Sequence, residues 1–368
     1  MTTTIDSPMK TEDESKIKLE VGQKYGGWKI LRKLDEGGFG QVYIVTKKGA
    51  LAALKSESND IEGEQPHIPY LYHAAKKKRF CYMVCTLLGD NLRTLRLGCK
   101  DEKFKPETWS RLAIQCLYSI KLLHDVGFVH RDIKPANFVL GHNKDPKRAR
   151  LIHILDFGLA RSFACFRDGN WVARRARRSA EFRGTVRYCS SFVHLREEQG
   201  RKDDIWSLMY MLIELHCGLP WQRERNKEVL ERRKLNTPDS VLLKYFPIEC
   251  HIIVAHLREL DCYNRPDYLM ISECFIQLVK KYKVDFSTPY DWEDPAVVEE
   301  IIKVRTKKPD YENPAKFFAY DPLRINKPPP KGRGSSSNVT RGAPTVEENK
   351  DMFAQVCKQP SNSSKPGK

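Results

Sequence analysis

The chain has 368 residues, a formal net charge of +17 and an isoelectric point near 9.3. That length suits one two-part catalytic domain with tails, and 40% hydrophobic content is enough for a sizeable core. No apolar run approaches about 18 residues, the least that reads as a membrane span, and the first residues lack the basic and apolar regions of a signal peptide.

The 11 cysteines are odd in number and scattered, without zinc spacing. They lead us to expect a reduced protein of the cytoplasm or nucleus, working as a monomer. The basic balance suits acidic partners: acidic or phosphorylated peptides, cytoskeletal surfaces or nucleic acid. A solvated basic surface reads equally from charge alone.

Residues 1–22 are polar and charged and read as a disordered tail. Strand patterns follow at 28–34, 41–45 and 51–55, with Glu36-Gly37-Gly38-Phe39-Gly40 between the first two. Two further strand patterns, 67–75 and 80–87, flank the basic turn 76–79 and read as a hairpin. From Pro106 the period changes: Trp109, Leu112, Ala113, Cys116, Leu117, Ile120 and Leu123 recur at 3 and 4, predicting an amphipathic helix that stops near Gly127. Residues 204–217 are apolar nearly all round, as a buried central helix is. Helical patterning continues over 241–282. Residues 294–368, with prolines 328–330 and serines 335–337, read as linker and basic tail.

The chemistry concentrates in His130-Arg131-Asp132-Ile133-Lys134-Pro135-Ala136-Asn137. Nineteen residues after Asn137 comes Asp156-Phe157-Gly158. Either triplet alone arises by chance; the eight-residue run followed by the second motif does not. Together they resemble the catalytic and metal-binding loops of protein kinases. The resemblance implies an α+β, bilobal fold with a small antiparallel β-sheet N-lobe and a mainly helical C-lobe. It gives a kinase domain over 23–293, divided at 88/89. It also implies ATP and Mg²⁺ as cofactors. Asp132 would accept the substrate hydroxyl proton, Lys134 would neutralise the transferring phosphate, and Asn137 and Asp156 would hold the metal. A lysine two residues after the aspartate points to serine or threonine as acceptor.

Lys55, ending 52–55, matches the lysine that grips the α- and β-phosphates. Read alone, it is a snorkelling surface residue. Gly37 and Gly40 match two of the three phosphate-loop glycines; Asp35 stands where the first would be. By chain order Val42 and Ala53 would roof an adenine pocket, with Val139 and Leu155 as its floor. Cys85 would lie behind it, and Thr86, Leu87 and Gly89 in the connecting hinge.

Residues 182–188, Phe182-Arg183-Gly184-Thr185-Val186-Arg187-Tyr188, stand where most kinases carry A-P-E. This wording, with 200–208, 218–221, 260–263 and 265–268, resembles the casein kinase 1 group, nearest its tau-tubulin kinase-like branch. The cysteine-rich wording, as in Tyr188-Cys189-Ser190, resembles nematode members. This implies acidic or pre-phosphorylated protein substrates, with Arg187 as a substrate anion site. Arg161, Arg167, Arg174, Arg175, Arg177, Arg178 and Arg183 surround it in sequence. It also matches Asp204 to an aspartate that braces the catalytic loop.

One departure stands out. Only residues 56–67 separate Lys55 from the next strand pattern. A typical helix alone takes about 11–12 residues, and this segment contains Gly63 and Pro66. The resemblance therefore predicts a kinase without its C helix, with Glu57, Glu62 and Glu64 as substitutes for the missing lysine partner. Three readings compete: an active serine/threonine kinase, a pseudokinase-like binding module, and a basic nucleic-acid or tubulin binder. No aromatic-basic interleaving supports the last.

Overall fold

In the computed structural model the described residues are 19–37, 40–47, 50–55, 66–77, 81–167, 169–304 and 314–325; the side chains of 34–37, 40–42, 50–55, 76, 81 and 304 also lie outside the description. The chain divides into a sheet unit, which includes 71–87, and a helical unit, which includes 62–70 and everything from Leu88 onward.

The sheet unit is antiparallel throughout. Its strands are β1 (Lys24–Tyr25), β2 (Trp28–Gly37), β3 (Gly40–Lys47), β4 (Ala50–Lys55), β5 (Leu71–Lys76) and β6 (Cys81–Thr86), in the order β1-β2-β3-β4-β6-β5. Alternate residues of the pleat point to one face. Trp28 and Ile30 on β2, Tyr43 and Val45 on β3, and Tyr82 and Val84 on β6 accordingly share one small core with Leu19. Tyr43 anchors that core to the incoming chain by accepting a hydrogen bond from the Leu19 amide at 3.0 Å. Gly37 faces Gly40 across the β2–β3 hairpin. The expected hairpin about the basic turn forms as β5 and β6, with Lys76 opposite Cys81. His67, expected in the first of these strands, instead belongs to the helical unit. There its carbonyl accepts from the Ile154 amide at 3.1 Å.

The helical unit opens with β7 (Leu88–Asn91) and α1 (Leu92–Leu97), which Asn91 caps by accepting from the Thr94 amide at 3.0 Å. Next comes α2 (Pro106–Asp125), with its proline in the first turn, followed by β8 (Phe128–Val129), β9 (Phe138–Gly141), β10 (Ile152–Ile154) and β11 (Arg161–Ser162). β9 pairs with both β7 and β10, and β11 pairs with β8. A hairpin of β12 (Ala164–Arg167) and β13 (Asn170–Ala173) leads to α3 (Ser191–His194) and α4 (Arg201–His216). The remaining helices are α5 (Lys227–Asn236), α6 (Asp239–Leu242), α7 (His251–Glu259), α8 (Tyr268–Lys281), α9 (Pro295–Val304) and α10 (Pro314–Ala319).

α4 is buried along nearly its whole length, as its apolar pattern predicts. Its entry is tight. A Cβ on Gly200 would stand 2.3 Å from the Cys262 carbonyl oxygen, so only glycine fits. The packed part of the chain runs past residue 293, where the tail was expected to begin. Phe317 stacks on Tyr118 of α2 with ring centroids 3.8 Å apart, and Phe318 and Leu323 are buried. The N-terminal tail read over 1–22 is shorter than expected, since residues 19–22 are described and Leu19 packs in the sheet core; residues 1–18, the segment bearing Glu57, Glu62 and Glu64, and the tail from 326 lie outside the described residues. Of the short link 56–67, only residues 66 and 67 are described, and they lie in a turn. No helix among the described residues is long and apolar enough to cross a membrane.

Candidate active site

The site grows from the link between β8 and β9. Residues 130–137 connect these strands, and Asp204 in the first turn of buried α4 pins the start of the link. Its Oδ2 accepts from the His130 amide at 2.6 Å and its Oδ1 from the Arg131 amide at 2.8 Å. Burial would raise the Asp204 carboxyl, but hydrogen bonds from His124 and the loop amide hold it below the ordinary carboxylate value. His124 donates Nε2–H to Asp204 at 2.9 Å and accepts from the Tyr268 hydroxyl at 2.6 Å. The neutral ring meets both demands, and burial lowers its pKa.

His130 staples the loop from inside. Its Nδ1 accepts from the Asp132 amide at 3.2 Å, and its Nε2 donates to the Leu155 carbonyl at 2.9 Å. One imidazole thus ties the Asp132 backbone to the residue before Asp156. Arg131 is left-handed, at φ 68°, and donates Nε–H to the Leu159 carbonyl at 2.6 Å. Such a φ costs a non-glycine residue on the order of 1 kcal/mol, and persists where its surroundings fix it.

Asp132 is 7% exposed. Its Oδ2 lies 2.5 Å from Lys134 Nζ, and its Oδ1 accepts from the Thr185 hydroxyl at 2.7 Å. Asn137 donates its Nδ2 to the Asp132 carbonyl at 2.8 Å. The carboxylate, its ammonium neighbour and its backbone are therefore all held. Thr185 was not singled out for this role. Its signal is Gly184 beside it, at φ 111°, where a Cβ would stand 2.4 Å from the Arg131 carbonyl oxygen. Glycine permits the close approach that delivers the threonine to the loop.

Asp156 is also left-handed, at φ 66°, and begins a single helical turn. Phe157 behind it packs on the core, 5.6 Å edge-on from His130. For a hard cation the donor chemistry fits. Since Asn137 spends its amide N–H on Asp132, its oxygen is the atom left to ligate, and Asp156 supplies a carboxylate. Two oxygen ligands supplemented by phosphate oxygens suit Mg²⁺, which is seldom caged by protein alone.

The other expected residues divide by unit. Val139 is buried in β9 opposite His153. In the sheet unit, backbone pairing sets Lys55 across from Val42 and Met83, and Ala53 across from Cys85. Asp35 faces Val42. The side chains of Val42, Ala53 and Lys55 lie outside the description, as does any side-chain role of Gly37 and Gly40. Cys85 is half-buried and Leu87 buried.

The arginines do not share one site. Arg177 grips Glu198 by its amide and both guanidinium edges, at 3.1, 2.6 and 2.9 Å, with Arg161 3.8 Å from the same carboxylate. Burial, then Arg161 and Arg177, push Arg131 down to about 10. Arg161, Arg174 and Arg175 line a small cavity with Tyr263 and Ile325. Arg183 pairs with Glu181. Arg187 turns elsewhere, donating to the fully buried Glu214 at 3.1 Å and to the Gln222 carbonyl at 3.0 Å. Tyr188 also donates to Glu214, at 2.6 Å, and Arg96 stands 3.8 Å from it. Glu214 gave no sequence signal, standing among apolar residues in the second half of α4.

A braced aspartate with lysine, asparagine and threonine about it, on a fold of antiparallel sheet plus helices, is the arrangement of a protein kinase domain. The protein kinase domain pattern matches residues 28–281, and the chain belongs to that family. It is 43% identical over 273 residues to a Caenorhabditis elegans protein named inactive tau-tubulin kinase ttbk-6, covering 73% of this chain and 93% of the relative. A second C. elegans chain, provisionally named a serine/threonine-protein kinase, is 35% identical over 341 residues, covering 86% and 97%. A Dictyostelium discoideum chain with a similar provisional name is 33% identical over 289 residues, covering 73% and 57%.

Proposed function

We propose that this chain is a serine/threonine protein kinase of the casein kinase 1 group, in its tau-tubulin kinase-like branch. The single observation that carries the reading is Asp132, its carboxylate held between Lys134 and Thr185 while Asn137 and Asp204 fix its backbone. In the reaction, the substrate hydroxyl oxygen attacks the γ-phosphorus of ATP and passes its proton to Asp132. The bond from that phosphorus to the β–γ bridging oxygen breaks, and ADP leaves with its electron pair. Lys134 offsets charge on the transferring group. Mg²⁺ on Asn137 and Asp156 would neutralise the phosphates. Gly37, Gly40 and Lys55 would receive the phosphate chain, and Val42, Ala53, Cys85, Leu87 and Val139 the adenine.

Acidic or pre-phosphorylated protein substrates, including cytoskeletal ones, match the net charge of +17. Arg187 contributes to their recognition only as far as Glu214 leaves its guanidinium uncommitted. The protein works as a monomer in the cytoplasm or nucleus.

A second reading, a pseudokinase-like binding module, draws on Asp35, on the short link after Lys55 and on the printed name of the relative termed inactive. The test is phosphate transfer to casein and to matched acidic and basic peptides, alongside Asp132→Asn. Transfer that the substitution abolishes supports the kinase. No transfer, with ATP-dependent thermal stabilisation, supports the binding module.

A further inference from the structure

Lys234 sits within a run of charged residues, Glu231-Arg232-Arg233-Lys234, that reads as a solvated helix face. In the structure it is 3% exposed. Its Nζ lies 5.2 and 5.3 Å from the ring centroids of Tyr210 and Trp221. It donates to the Val186 carbonyl at 2.5 Å and to the Cys189 carbonyl at 2.8 Å. Trp221 takes the carbonyl between them, donating Nε1–H to Arg187 at 3.0 Å. From inside the turn, the Tyr188 and Cys189 amides both donate to Thr185, at 2.9 and 3.0 Å. Residues 185–189 are thus a closed turn whose outward carbonyls end on one buried ammonium and one indole. The opposite end of that turn is the Thr185 hydroxyl on Asp132.

A buried lysine is costly unless its protons are used. Here burial is the larger influence and pushes the amine down to about 8, against the ordinary lysine value. Nothing in the transfer chemistry above employs it. We infer that Lys234 is a positioning residue: by holding the Val186 and Cys189 carbonyls it sets the turn that aims Thr185 at Asp132. It thereby fixes the wall along which the substrate hydroxyl approaches. The inference rests on the kinase reading for its catalytic consequence, but not for its structural one.

Lys234→Met removes the donor and keeps the length; Lys234→Arg restores donors to the same carbonyls. In Lys234→Met the Tyr188 and Cys189 amides should exchange hydrogen faster, by about tenfold or more. Peptide turnover should fall by about ten- to a hundredfold, the scale of misplacing a reacting group by about 1 Å. The KM for ATP and the active fraction by nucleotide titration should not change. Lys234→Arg should recover most of the loss. In a Thr185→Ala background Lys234→Met should cost little more, because both act on one contact. Unchanged turnover in Lys234→Met, or full additivity with Thr185→Ala, overturns the inference. If the parent transfers no phosphate, the kinase reading has failed, and the exchange rates alone decide. Unaltered exchange at Tyr188 and Cys189 then overturns it, and faster exchange upholds Lys234 as the clamp of this turn.

Discussion

The two units solve different problems with different materials. The sheet unit holds its described core with seven apolar residues, Leu19, Trp28, Ile30, Tyr43, Val45, Tyr82 and Val84, and no charged one. The helical unit buries Lys121, Asp203, Asp204, Glu214 and Lys234 among its apolar side chains. Apolar burial is favourable but without direction. Buried charges add little net stability and demand particular partners. The residues that aim groups, Asp204 at the loop amides and Lys234 at the turn carbonyls, therefore lie where burial is deepest. Position is bought there with charge, while the thin sheet supplies backbone.

The sharpest test of this contrast is Asp132→Asn. Its amide still fills the space between Lys134 and Thr185, so folding should be unaffected. Loss of a base or orienting group should slow transfer by about 10² to 10⁴. Equal rates for parent and variant in a purified assay would remove Asp132 from the chemistry.

A packing probe should act oppositely. Phe318→Ala deletes a fully buried ring over α2 and should destabilise the helical unit by about 3 kcal/mol. Calorimetry should show the loss in the helical unit's transition, with ATP-dependent stabilisation retained below it. A melting curve identical to the parent's would show that the segment contributes no stability.

Next in size is the link after Lys55. Inserting a helical segment from a kinase relative between Lys55 and His67 should raise transfer, by up to about 10²-fold if lysine placement is what limits it. Rates that do not change with the insert would mean that this chain positions Lys55 by other means.

A further effect, seen only on acidification, is on stability. His153 lies fully buried in β10, and burial, then His67 and Arg148, push its pKa down to about 3. Its Nε2 has no hydrogen-bond partner among the described residues. Between the unfolded value of 6.5 and about 3, the unfolded chain binds this proton and the folded chain does not. Stability should therefore fall as pH drops below 6.5, with a limiting slope near 1.4 kcal/mol per pH unit from this group. His153→Gln should flatten that slope in denaturant titrations at pH 4 to 7. An unaltered slope would assign the acid sensitivity elsewhere.

What the sequence reveals follows from how far apart the partners are. Asp132, Lys134 and Asn137 lie within one loop, so their spacing is legible and they come together as spaced. The β2–β3 and β5–β6 hairpins are equally local, and α2 and α4 declare themselves by period. Arg187 was legible as a residue but not in its surroundings, because Glu214 is 27 positions away. Lys234 was hidden by its charged neighbours, since burial of a lysine leaves no mark on periodicity. The 314–325 segment was hidden by composition: a short stretch after a polar linker reads as tail, although two phenylalanines give it something to bury.

That segment bears on how the protein can be handled. The family pattern stops at residue 281, and a polypeptide trimmed there would lose the ring that lies flat on Tyr118. The same ring, that of Phe317, also covers the Lys121 ammonium at 4.3 Å. The exposed face would be greasy, with the Lys121–Asp125 ion pair, 2.5 Å apart, laid open within it, a surface prone to self-association. A trimmed fragment that precipitates, or elutes as large particles, would then be mistaken for a dead enzyme. Its fault would lie in colloidal behaviour, with every residue of the catalytic loop still in place.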